Sequence, residues 1–169
     1  MSKIGLMGML TATLCTFACA DIKVEVPNIC NTSQVGTIYP SYQKVTTLQT
    51  TVDVSQEVDQ IQKTFDQLYI KLTSLDVTAD QDLSWLQDMK ITIDGGTASA
   101  PNVTLATYQP GTGDPGMSLP IKLMMDANTL FEYLSQPITL TFTITGSPPS
   151  EPANFTSSFC VDLTGEINK

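Results

Sequence analysis

The four cysteines are the residues of this 169-residue chain with the plainest chemical options, and their spacing splits them into two pairs. Cys15 and Cys19 fall at the end of an apolar amino-terminal stretch. Cys30 and Cys160 lie near the two ends of everything that follows. The chemistry open to the first pair is set by its surroundings. Residues 1–20 read MSKIGLMGMLTATLCTFACA, a cationic start, an uncharged apolar run from Ile4 to Phe17, then small residues. That is the layout of a secretory signal peptide, and the apolar run is shorter than the roughly 20 residues of a spanning helix. Ala18-Cys19-Ala20 fits small-x-small cleavage, which leaves Asp21 first. Alternatively Cys19 is the lipid-accepting cysteine of an anchored lipoprotein. Thr16 and Phe17 fit that second pattern poorly, Ala18 fits it well, and both readings stay open. For the second pair the expected chemistry is oxidation. An exported chain meets oxidising conditions, where two remaining cysteines pair, so a Cys30–Cys160 disulfide is expected.

Missing residue types narrow the rest. The chain has no His and no Arg. Ser-His-Asp and Cys-His nucleophiles and imidazole metal sites are therefore excluded, as are guanidinium clamps on phosphate. Carboxylate pairs and Ser-Lys arrangements remain, but no spacing marks either. The expectation is a non-enzyme with no catalytic residues, no cofactor and no metal. Once the signal with Lys3 is removed, seven Lys face seventeen Asp and Glu, a net charge of −10. Such a surface cannot displace counterions from a phosphate backbone, which argues against nucleic acid as a partner. It equally disfavours basic-patch adsorption to anionic lipid, so contact with a membrane is expected only through a lipid anchor.

Other motifs weaken on inspection. Gly111-Thr112-Gly113-Asp114-Pro115-Gly116 matches the dinucleotide fingerprint, but no helix follows to receive a pyrophosphate and Asp114 would repel one. Asp76, Asp80 and Asp82 surround a turn, without the spacing or bidentate Glu of a calcium loop. Asn31-Thr32-Ser33, Asn102-Val103-Thr104 and Asn154-Phe155-Thr156 match the glycosylation acceptor pattern, which matters only in a eukaryotic host. Leu130, Phe131, Tyr133 and Leu134 form a cluster that either plugs the core or lines an apolar pocket.

The elements that must position these residues are mostly strands. Ile22, Val24 and Val26 alternate until Pro27, and 31–42 reads as loop. Residues 45–54 are β-branched and strand-like. Val54, Val58, Ile61, Phe65 and Leu68 recur at helical spacing, predicting a helix near 55–66 capped by Asp53 or Ser55. A strand near 68–78 follows, with a bulge at Thr73-Ser74; the competing reading extends the helix to Leu72. After a turn or short helix at 80–86 carrying Trp85, strands are predicted at 89–93, ending in an Asp94-Gly95-Gly96 turn, and at 103–108. Loop 109–117 precedes an edge strand from Leu119 to Met125 containing Pro120. Asn128 caps a short helix, Thr129 to Leu134. Ile138, Leu140, Phe142 and Ile144 mark a central strand at 137–145, and Phe159, Val161 and Leu163 a last one, with Cys160 on its opposite face. The sum is all-β: residues 21–169 as a single antiparallel β-sandwich of about eight strands with one or two short connecting helices.

The order of landmarks resembles exported lipoproteins of the myxobacterial type. These landmarks are Val24-Glu25-Val26-Pro27-Asn28-Ile29-Cys30, Trp85-Leu86 before Met89 to Ile93, Asn128 to Leu134 leading into Pro137 to Gly146, and Cys160-Val161-Asp162. The resemblance implies an envelope β-sandwich and brings no activity or functional residues with it. The expected function is a non-enzymatic cell-envelope or secreted module, structural or interacting with an envelope or extracellular protein. The alternative is a binder of a small apolar or sugar ligand, held between the sheets or at Gly111 to Gly116.

Overall fold

Among the described residues, alternating burial builds nine strands on two facing sheets. The computed structural model describes residues 22–94, 102–109, 116–119, 121–124, 131–134 and 136–167. Its strands are β1 (Ile22–Ile38), β2 (Val45–Val52), β3 (Gln67–Ala79), β4 (Leu86–Asp94), β5 (Val103–Tyr108), β6 (Ser118–Leu119), β7 (Lys122–Leu123), β8 (Ile138–Gly146) and β9 (Ala153–Ile167). Two short helices, α1 (Ser55–Gln62) and α2 (Phe131–Leu134), lie in the connections before β3 and β8. One sheet runs β1-β9-β3-β6 and the other β2-β8-β4-β5-β7, all pairs antiparallel. The chain changes sheet between β1 and β2, β2 and β3, β3 and β4, β5 and β6, β6 and β7, and β8 and β9. With the two-residue β7 set aside, the order 1-9-3-6 against 2-8-4-5 is a jelly-roll winding, two Greek keys wrapped around one core.

The predicted central strand is central. β8 lies between β2 and β4, and Ile138, Leu140, Phe142 and Ile144 are at most 2% exposed. Facing them from β9 and β3 are Phe155, Phe159, Val161, Ile70, Leu75 and Val77. The bulge in β3 falls where alternation slips: Leu72 pairs with Val161 and Ser74 with Cys160, so Thr73 is skipped and its hydroxyl donates to the Cys160 carbonyl at 3.1 Å. Cys160 lies on the opposite face from Phe159, Val161 and Leu163, as expected.

Several boundaries differ from the sequence reading, each for a physical reason. β1 does not stop at Pro27 but continues through 31–38, the stretch read as loop. It is an edge strand, so the missing proline N–H removes no obligatory ladder bond, and the register merely shifts between Val26 and Ile29. Helix α1 ends at Gln62 rather than 66, and the strand that follows excludes the longer helical reading. Its N-cap is Val54. Asp53 instead accepts from the Ser55 N–H at 3.1 Å and the Ser55 hydroxyl at 2.6 Å. The predicted strand Leu119 to Met125 is two: Leu119 pairs with Val77 in one sheet and Leu123 with Ala106 in the other. Both leucines feed the same core from opposite walls, so alternation alone could not separate them. Met125, Pro120, the Gly95-Gly96 turn and the Asn128 cap lie outside the described residues.

Candidate functional site

Because the strands alternate in direction, the connections after β1, β3 and β8 meet at the end of the sandwich remote from Ile22. They are tied together by backbone and side-chain hydrogen bonds. The Gly146 N–H donates to the Lys44 carbonyl and the Ser147 N–H to the Trp85 carbonyl, each at 3.1 Å. Leu83 N–H donates to the Gly116 carbonyl at 2.8 Å, and the Gln81 amide to the Glu151 carbonyl at 2.8 Å. Asp80 anchors the start of β9: its carboxylate accepts from the Asn154 backbone N–H at 2.9 Å and from the Asn154 amide at 2.5 Å. These bonds hold the Asp80 carboxyl below its ordinary value, the Asn154 side chain contributing most. Ser84 lowers Asp82 in the same way, chiefly through its side chain and then through its backbone N–H, which lies 2.8 Å from the carboxylate.

On this bonded frame sit the aromatic residues of the loops. Tyr39 is 48% exposed and meets the half-buried Tyr42 edge-on, with ring centroids 5.8 Å apart. Trp85 stands edge-on against Phe155 at 6.3 Å. A small cleft of about 10 Å³ opens among Ile38, Tyr42, Trp85, Ile144, Pro148 and Pro149, with Gln43, Lys44, Thr46 and Ser147 as its polar members. That is room for about one water molecule. The Trp85 Nε1–H is sealed from solvent and has no acceptor among the described residues. Gly146 makes the arrangement possible: a Cβ there would lie 2.6 Å from the Trp85 carbonyl. An aromatic and proline wall with one ammonium, one amide and the hydroxyls of Tyr42, Thr46 and Ser147 can stack and hydrogen-bond.

Of the residues singled out from the sequence, Asp80, Asp82, Trp85, Gly116 and Asn154 lie at this end, and the cysteine pair does not. Cys30 and Cys160 form a disulfide between directly opposed positions of β1 and β9, Cα atoms 4.1 Å apart. It lies on the outer face of its sheet, with Cys30 exposed and Cys160 half-buried. Unlike an immunoglobulin bridge, it joins neighbouring strands of one sheet. Cys19, Cys15 and the rest of the signal segment lie outside the described residues, as do residues 110–115 of the glycine loop. Gly116 has φ +46°, a turn conformation suited to glycine. Asp80 and Asp82 are committed to Asn154 and Ser84, and among the described residues no three acidic or cysteine groups converge as metal ligands. The Asn154 side chain also accepts from the Thr37 hydroxyl at 2.6 Å, so both ends of its amide are bonded. Tyr133 and Leu134 are at most 1% exposed and plug the core; Leu130 and the Phe131 side chain lie outside the described residues. The Tyr39–Tyr42–Trp85 grouping escaped the sequence reading. Its only signal is aromatic residues in segments between strands, Tyr39 beside Pro40.

No family model matches this chain, and no curated protein matches it. Among solved structures it is similar to that of Desmodium yellow mottle tymovirus, with 9% identity, 98% of each chain covered and a TM-score of 0.28. It is also similar to that of mud crab tombus-like virus, with 8% identity, all of this chain and 92% of the other covered, and a TM-score of 0.34. A third is turnip yellow mosaic virus, at 15% identity, 99% and 92% coverage, and a TM-score of 0.29. Likenesses this distant carry no inference about what this chain does.

Proposed function

We propose that this chain is an exported, non-catalytic β-sandwich that serves a cell envelope as a structural or interaction module, tethered through lipid at Cys19. The observation that carries the reading is the Cys30–Cys160 disulfide on a solvent-facing sheet surface. A bridge so accessible persists where thiols are not held reduced, which agrees with the signal-like first twenty residues. The filled interior and the bonded loop end support recognition by surface rather than by chemistry. The partner is then an envelope or extracellular protein meeting the Tyr39–Trp85 end.

Intact mass of the mature protein tests this. The expected result is a chain that begins at Cys19, carries acyl mass and is two hydrogens lighter than the dithiol. Cys19→Ser should leave the signal uncut or release the protein into the soluble fraction. A start at Asp21 without lipid mass rejects the anchor and leaves a freely exported protein. An uncut chain with both thiols reduced rejects export itself.

A second reading, binding of a small apolar or sugar ligand, has one observation in its favour: the orphaned Trp85 Nε1–H beside an aromatic cleft. A ligand accepting that hydrogen bond would raise the unfolding midpoint in a thermal shift series. The space between the sheets does not favour it, because the side chains there are packed and buried.

A further inference from the structure

The end of the sandwich opposite the aromatic loops carries a different surface. Here β1 begins and β9 ends, with Ile22 opposite Ile167, and β3 begins, with Gln67 opposite Glu166. Between α1 and β3 lies an open groove of about 390 Å³ lined by Gln62, Phe65, Asp66, Gln67, Leu68 and Tyr69. The Phe65 ring lies directly over Gly165 of β9, where a Cβ would come within 2.4 Å of it. Phe65 and Leu68 are half-buried, and Tyr69 is 45% exposed, its hydroxyl donating to the Gln67 side-chain oxygen at 2.7 Å. An apolar floor with a hydroxyl-tipped aromatic at its rim suits a boundary between water and hydrocarbon.

The chain itself says what covers it. From Cys19 to Ile22 is three residues, and an extended chain spans at most about 3.6 Å per residue, so a lipid on Cys19 starts within about 11 Å of the first position of β1. β3 alone, at 13 residues, carries the opposite end about 40 Å further away. We propose that the sandwich stands on this end, the Phe65–Leu68–Tyr69 groove resting on the lipid surface and the Tyr39–Trp85 loops held furthest from it. This rests on the lipid anchor proposed above. The strongly acidic composition fits a zwitterionic surface and an apolar contact better than an anionic one.

Trp85 is the only tryptophan, which gives each end its own reporter. The mature, lipid-bearing protein is reconstituted into phosphatidylcholine vesicles containing acyl-chain-brominated phosphatidylcholine as quencher. Trp85 in the wild type should keep its emission. The Tyr69→Trp, Trp85→Phe variant should lose emission as the brominated fraction rises. Should the double variant fail to fold, Tyr69→Trp in the native background is read as its increment over wild type. Quenching of Trp85, or of neither reporter, overturns the orientation. Absence of quenching at both ends with a dimer in detergent assigns the groove to a second copy and also overturns it. Intact mass of the same preparation separates the two readings: no acyl mass defeats the anchor and the orientation together, whereas acyl mass with the wrong quenching defeats the orientation alone.

Discussion

Replacing both Cys30 and Cys160 by Ser should cost this domain a large share of its stability without changing its fold. The cysteines are 130 residues apart, so in the oxidised chain nearly the whole domain is one closed loop. The chain-entropy relation for a loop of that length gives about 5 kcal/mol at 25 °C, against a total of about 5–15 kcal/mol for a typical domain. The effect acts on the unfolded chain, and little offsets it in the folded one. Cys30 is exposed and Cys160 half-buried on the outer face, so serine there opens no core cavity and buries no stranded hydroxyl. The β1–β9 ladder, running from Ile22 opposite Ile167 to Ile38 opposite Ala153, remains to hold the edge strand. At about 2–4 °C per kcal/mol for a domain of this size, the midpoint should fall by about 10–20 °C. The assay is denaturant and thermal unfolding of wild type and double variant, each with and without a dithiol. Reduced wild type should coincide with the variant, and the dithiol should leave the variant unmoved. A variant within about 1 kcal/mol of oxidised wild type would refute the stapling argument. A variant already unfolded in buffer would refute the claim that the ladder suffices.

Other outcomes follow from the same structure. Phe142→Ala removes a fully buried ring from the middle of β8 and should cost about 3–5 kcal/mol in chemical denaturation; a loss below 1 kcal/mol would place that ring outside the core. Gly146→Ala drives a Cβ against the Trp85 carbonyl and should cost about 1–3 kcal/mol, with a changed Trp85 emission as its local signature. Asp80, lowered from its ordinary 3.8 by Asn154, contributes stability that is whole above the ordinary carboxylate range and lost as pH falls through its lowered value. The midpoint of wild type should therefore decline in acid, and Asp80→Asn should flatten part of that decline; an identical acid limb in both proteins would remove Asp80 from the account.

Legibility followed the hydrophobic pattern and failed where polar residues keep the same geometry. β8 reads plainly because each inward position is apolar and each outward one is threonine. β9 is more legible at its middle than at its start: Ala153, Phe155 and Ser157 continue the inward alternation, but a serine in a buried position hides it. That Ser157 faces Ser33 of β1, and Ser33 in turn accepts from Thr50 of β2 at 3.1 Å. A hydroxyl cluster thus closes the open side between the two sheets, and no hydropathy count would find it. The extension of β1 past Pro27 was hidden for a second reason. Proline is a stop signal only where a ladder bond is needed, and edge status is a property of the whole sheet. The candidate site was invisible because its members, Tyr39, Tyr42, Trp85 and Pro148, come from three loops that only the jelly-roll winding brings together.

That winding also explains how a chain with two long sheets avoids pairing with its neighbours. The exposed half of edge strand β1 carries Lys23, Glu25 and Pro27 and a register shift, each of which blunts edge-to-edge addition. Lys23 is paired with Glu166 across to β9, so the charge also favours the native register. Its far half is bonded through Ser33 and Gln34 to Thr50 of β2, which leaves less free edge there. At the opposite edges β6 and β7 are two residues each, too short to template another strand, and they cover Val77–Thr78 of β3 and Ala106–Thr107 of β5. The outer face of the second sheet is a threonine field, with Thr141 of β8 between Gln49 and Thr92, and Thr143 between Thr47 and Lys90. Threonine favours the pleated backbone while keeping a hydroxyl in water, so these positions form strand without becoming adhesive. Faces and edges built this way are poor places for recognition. What remains are the two ends, one bearing the Phe65–Leu68–Tyr69 groove, the other a bonded set of aromatic loops. A protein with this division of surface is suited to standing on one end and being met at the other.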